Sequence, residues 1–253
     1  MEKKSSDSIS KSEKRAQISS SGDLVEFDEH ISISGSGKIS GGKINKSIRI
    51  SGSGRINGDF ECNGLTSSGS LKASGNLTAH GDISSSGTFS IAGFLYGDEA
   101  AEFSGSTQVG NVIKVQGSLT ASGSFKAGHF VTSDKVIKIS GSSNINGNLS
   151  AEENIIINGS TNIEGNVVAS DVLFGGSGAF KLKKQHYRVQ GRIHAKNIVE
   201  IIKTHVGGDV RGKVIRIGEG TEILGNVYYA DIIEVDKKAK LAHEPIKIGL
   251  DEL

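Results

Sequence analysis

Apolar and polar residues alternate in short runs along this chain: "VIKIS" at 136–140, "IIING" at 155–159 and "VIRIG" at 214–218. A period of two is that of a strand with one buried face. A longer beat of six residues carries the apolar anchors Leu65, Leu71, Leu77, Ile83, Phe89 and Leu95, and again Ile113, Leu119, Phe125, Val131 and Ile137. No run shows the three-to-four spacing of a helix, and abundant Gly and Ser disfavour one. The pattern predicts many short strands and almost no helix.

The strands repeat as sets. The first glycine of "SGSG"-like motifs recurs at Gly35, Gly52, Gly69, Gly87, Gly105, Gly123, Gly141 and Gly159, a step of 17 and then 18 residues. In phase with it runs a second marker, Gly followed by Asn or Asp and an apolar residue, as in Gly58-Asp59-Phe60, Gly147-Asn148-Leu149 and Gly225-Asn226-Val227. A fixed step of this size is the signature of a solenoid. Three six-residue strands with Gly-Asn or Gly-Asp between them describe a coil that turns three corners and returns above its start. Gly and Asn are expected there because they tolerate positive φ. The aliphatic residue follows Gly-Asn instead of preceding Gly, which favours a right-handed coil over the left-handed hexapeptide kind. The expected fold is all-β, a right-handed three-sided parallel β-helix of 17–18 residues per coil. Residues 23–241 would hold roughly twelve coils, a rod roughly 55–60 Å long at about 4.8 Å per coil. Leu77, Val167 and Val227 are expected to point inward.

Composition narrows this. Of 253 residues 35 are Gly, one is Pro, and aromatic residues make up only 5%, so the core must be thin and built from small apolar side chains. A net charge of +1 excludes a polyanion binder by bulk charge. The single cysteine, Cys62, allows no internal disulfide and reads as a structural thiol. Nothing approaches the ~18 apolar residues of a membrane span, and the polar start has no apolar signal region. The expected location is cytoplasmic, with membrane association left open. Residues 1–22 are expected to be a disordered polar tail, and 242–253 a C-terminal tail or partial end cap.

Two segments, "VIKISGSSNINGNLSAEENIIINGSTNIEGNVVASDV" at 136–172 and "VIRIGEGTEILGNVYYADIIEVDKKAKL" at 214–241, resemble the bactofilin family of polymer-forming cytoskeletal proteins. The resemblance spans roughly residues 30–240. It implies a right-handed three-sided β-helix that stacks end to end into nucleotide-free, nonpolar filaments, with flexible tails. The family's usual core is much shorter, so this one is either two fused cores or one extended core.

The ends are the first candidate site. A β-helix leaves unpaired backbone and an apolar cross-section at each end, and no amphipathic helix in the sequence covers either. The polymerisation residues expected are Leu24, Val25 and Phe27 at one end and Ile232, Ile233 and Val235 at the other, with Ile246, Ile248 and Leu250 as an extra strand or partial cap. The second candidate is basic. Between Gly165 and Gly191 the step is about eight residues too long, which predicts a loop near 178–190. From Lys181 to Arg216 ten basic residues face only Glu200 and Asp209. Lys181, Lys183, Lys184, Arg188, Arg192, Lys196, Arg211 and Lys213 form a candidate patch for an anionic membrane, nucleic acid or acidic protein segment. A step of 17 would stack His194 on Arg211 and Lys196 on Lys213.

No cofactor, metal or small-molecule substrate is expected. The seven histidines form no pair with metal-ligand spacing, and there is no phosphate-binding loop, nucleophile elbow or carboxylate dyad. The leading expectation is a structural filament protein whose partner is itself, not an enzyme. The alternatives are a hexapeptide-class acyltransferase with a left-handed β-helix, for which His186 is the only candidate base, and a secreted β-helical adhesin.

Overall fold

The computed structural model describes residues 15–175 and 186–253. Its strands pair in parallel from coil to coil and form a solenoid of about 12 turns without an α-helix. Each coil contributes one strand to each of three faces. The first face opens with His30–Ile33, which pairs with residues 47–50. The second opens with residues 36–40, paired with 53–57, and the third with 42–44, paired with 60–62. The all-β class and the three-sided parallel architecture are those the repeat predicted.

In the middle of the rod the register is uniform. Leu77 lies under Leu95, Leu95 under Ile113, Ile113 under Val131, Val131 under Leu149 and Leu149 under Val167, eighteen residues at every step. The core is a stack of these inward columns, and Leu77, Val167 and Val227 are fully buried. Aromatic rings enter it rarely: Phe89 and Phe103 lie 5.2 Å apart, and Phe174 and Tyr187 5.6 Å apart. Hydroxyls share the inward columns, Ser67, Ser85, Thr107, Ser143 and Thr161 among them. Ser143 and Thr161, stacked in register, hydrogen-bond each other at 2.8 Å.

The corner glycines are there for a reason the sequence reading missed. Among the described residues φ is positive only at Gly35, Gly42, Gly58, Gly175, Gly220 and Lys203. Gly52, Gly69, Gly87, Gly105, Gly123, Gly141 and Gly159 have ordinary backbones. A Cβ on any of them would sit inside the carbonyl oxygen of the preceding glycine in the column. The column keeps its glycines because successive coils touch backbone to backbone there. The Asn and Asp of the second marker also act between coils. Asn148 Oδ1 accepts the N–H of Asn166 at 2.8 Å, Asn166 Oδ1 that of Arg192 at 2.9 Å, and Asp209 Oδ1 that of Asn226 at 2.8 Å. Each side chain bonds a corner N–H of the next coil.

The long coil falls where the spacing placed it, with one boundary corrected. Phe174 pairs with Ile157 at a step of 17, whereas Tyr187 pairs with Thr161 at a step of 26. The added residues therefore lie between these two strands. Tyr187–Val189, expected within the loop, is a regular strand whose Tyr187 and Val189 are buried.

The N-terminal boundary also moves. Residues 15–22, expected in a disordered tail, are part of the rod. The chain enters by bridging Arg15 to Lys43 on the third face. Ile18–Ser20 then runs antiparallel along residues 37–39 of the second face, and Leu24–Glu26 antiparallel along residues 31–33 of the first. It crosses the faces in reverse order, turns at Phe27, whose N–H bonds the His30 carbonyl at 2.8 Å, and winds back. At the other end the last strands, residues 232–235, Lys240–Leu241 and Ile246–Lys247, continue the parallel register. Ile246–Lys247 is the extra strand the sequence suggested.

Candidate functional site

The two ends are unlike. At the N-terminal end the reversed strands cover the parallel edges of the first two faces. Between them opens a cavity of about 550 Å³, floored by Ala16, Ile18, Leu24, Ile31 and Ile44 and rimmed by Arg15, Glu26, Lys43 and Lys46. Lys46 fastens the hairpin, pairing with Glu26 at 2.8 Å and donating to the Phe27 carbonyl at 2.6 Å. Its ammonium holds the Glu26 carboxyl below its ordinary range. At the C-terminal end the edges of the three last strands have no partner among the described residues. The short 3₁₀ turn Leu250–Glu252 lies along the side, where Arg211 Nη1 donates to the Glu252 carbonyl at 2.9 Å.

The six residues expected at the ends sort into three kinds. Leu24 pairs with Ile33, and Val235 with Ile217, so both continue inward columns. They are 46% and 43% exposed because the coils stop there. Ile233, over Ile215, is the same kind but better covered. Val25, beside Ser32, and Ile232, over Val214, occupy outward columns. Phe27 sits in the hairpin turn with its ring stacked on His30 at 4.4 Å.

Among the described residues the candidate basic patch does not form one surface. Lys181, Lys183 and Lys184 lie outside the described residues. Arg188 stands on the second face between Asn162 and His205. His194 does stack on Arg211, as the step of 17 predicted. Lys196 and Lys213 fall in a register shift, because Ile198 already pairs with Val214 at a step of 16. Each faces an acid instead, Glu152 at 3.8 Å and Asp231 at 3.4 Å. What remains together is Arg192, His194 and Arg211, around a hollow of about 200 Å³ that also holds Asp209. Arg211 lies over the Tyr228 ring at 4.9 Å. Burial and then the nearby Arg211, Arg192 and Lys196 push the His194 imidazole below its usual value.

A charged relay on the third face was not foreseen. Lys43 pairs with Glu61 at 2.8 Å, Glu61 with His80 Nε2 at 2.8 Å, and His80 Nδ1 with Asp98 at 2.7 Å. Glu61 first, then Asp98, raise the His80 imidazole. Only the register, which places Glu61, Thr78 and Tyr96 in one column, brings these groups near each other.

Other chemistry is sparse. Cys62 is buried, and burial pushes its thiol up to about 12. No group of three or more His, Cys, Asp and Glu side chains among the described residues is placed to hold a metal ion. His186 is exposed, and its carbonyl accepts the Thr161 N–H at 3.1 Å. No described helix is long and apolar enough to cross a membrane.

Fold and ends together define the class, a three-sided parallel β-solenoid. Comparisons with protein-family models, with curated proteins and with solved structures returned no match.

Proposed function

We propose that this chain is a structural scaffold that joins end to end into filaments, without nucleotide or metal and without catalysing a reaction. One observation carries the reading. Of the eleven large apolar side chains exposed among the described residues, six lie on the terminal strands or the terminal hairpin: Leu24, Val25 and Phe27 at one end, and Ile232, Val235 and Ile246 at the other. Leu24 and Val235 continue inward columns, and a fully buried side chain of this size contributes about 1.5–3 kcal/mol, so joined ends would regain what truncating those columns leaves open. The bactofilin resemblance of residues 136–172 and 214–241 supports the same reading and adds that like ends meet, an isologous contact that gives a nonpolar filament.

Electron microscopy of the purified protein tests this. Unbranched filaments one rod wide should form in buffer with EDTA and no nucleotide. Particles that remain single rods at high concentration, or filaments that need ATP or a divalent ion, would overturn it.

A further inference from the structure

On the second face near the N-terminal end, Lys38 pairs with Arg55 and Arg55 with Lys72, rung upon rung. All three side chains are exposed. Beside them, two residues back on each strand, runs a matching column of hydroxyls: Ser36, Ser53 and Ser70. Both columns line one hollow of about 650 Å³, closed at its upper edge by Ser19, Ser20 and Ser21. Among the described residues no carboxylate lines it.

Several cations elsewhere on the rod meet an acid. Lys43 meets Glu61, Lys46 meets Glu26, Lys213 meets Asp231, Arg216 meets Glu234 and Lys238 meets Glu219. Lys38, Arg55 and Lys72 make no ion pair with any described residue. Like charges directly opposite on neighbouring strands repel, and here three stand about 4.8 Å apart per rung with nothing between them. A row of cations without an ion pair among the described residues, alongside a row of donors, is a surface arranged for an anion that is itself a row.

We propose that the Lys38–Arg55–Lys72 column and its serine column bind a linear phosphate polymer laid along the rod axis. A small anion would neutralise one rung, whereas a chain satisfies all three at once. A phosphate group has oxygens enough to accept from the ammonium or guanidinium fork and from a serine hydroxyl together. The hollow has no aromatic side chain on which a base could stack, so the chemistry read is the charged backbone alone. It has no large apolar side chain to enter a bilayer, and its charges form a line, so a membrane surface fits it less well.

The test uses fluorescently labelled inorganic polyphosphate and the full chain, read by anisotropy. Wild type should bind, and the triple variant Lys38→Ala/Arg55→Ala/Lys72→Ala should bind at least tenfold more weakly at about 50 mM salt. Its slope of log K against log salt should be shallower by about 2, at ~0.7 per lost phosphate contact. The pair Lys38→Arg/Lys72→Arg, which keeps the charge, should retain binding, and unchanged circular dichroism would show that the fold is kept. An oligonucleotide of equal charge should bind no better than polyphosphate. Equal binding by wild type and triple variant, preference for the oligonucleotide, or tighter capture by vesicles of anionic lipid through the same three residues would each overturn the proposal.

Discussion

Single residues in this rod are judged by the coil above and the coil below. Gly123 has an ordinary backbone, yet a Cβ there meets the Gly105 carbonyl. Gly123→Ala should cost about 1–3 kcal/mol, the range of an overpacked site, and Gly123→Asn should be no milder. If positive φ were the reason for the glycine, Asn would be tolerated, and urea melts of both variants separate the two causes. The histidines respond in opposite senses. The folded pKa of His80 is raised by Glu61 and Asp98. Its contribution to stability is whole below the unfolded value of about 6.5 and lost as pH rises through the folded one. The folded pKa of His194 is lowered. Its contribution is whole above about 6.5 and lost as pH falls through the folded value. NMR titration should place His80 above His194, and stability–pH profiles of His80→Asn and His194→Asn should depart from wild type on opposite sides.

Elements follow the same logic. Strand positions were legible because aliphatic residues such as Leu77, Val167 and Val227 mark an inward column wherever they recur. The inward hydroxyls were not legible. Ser67, Ser85 and Thr107 read as polar surface, and only the register shows that they stand in line with Ile50, Phe103 and Phe125. The role of the corner amides was hidden too, since Asn after Gly reads equally well as turn chemistry. Asn148→Ala should leave the Asn166 N–H without its acceptor and cost about 1 kcal/mol, up to 3 if that N–H finds no water. Asn146→Ala, at an exposed neighbouring site that bonds only the Asn144 side chain, should cost much less, and thermal melts of the pair check this.

At the scale of the whole molecule, the ends are where the sequence was least informative. Reversal of residues 15–26 could not be read from "ISSSGDLVEF", because an apolar residue suits an antiparallel strand as well as a parallel one. The separation of Lys196 from Lys213 was equally hidden, since it depends on one coil of step 16 inside a run of 17. What was legible at the ends is that Leu24 and Val235 lie near them. The structure adds that both continue inward columns where the coils stop. Leu24→Arg and Val235→Arg, made separately, should each hold assembly at a dimer if like ends meet, because one of two contact types survives. Either change should hold a head-to-tail polymer at the monomer. Analytical ultracentrifugation distinguishes these outcomes, and long filaments from both variants would exclude these residues from the junction.

The uniform register between Leu77 and Val167 makes rod length an editable quantity. Each coil in that stretch offers its neighbours the same backbone edge, and the energetics of such arrays are close to a sum over units and their interfaces. Excising residues 106–123 would bring Gly105 directly before Ser124 and leave every later strand on its own face. The product should fold as a rod about 4.8 Å shorter, measurable by small-angle scattering, with a proportionately lower unfolding enthalpy. Removing seventeen residues from the same place leaves one residue over in a single coil, which a corner must absorb as corners absorb the 16- and 17-residue steps elsewhere, so that product should fold but melt lower than the eighteen-residue deletion. A gene built of such units can set the span of its product by copying or dropping whole turns, as a ruler is cut to length.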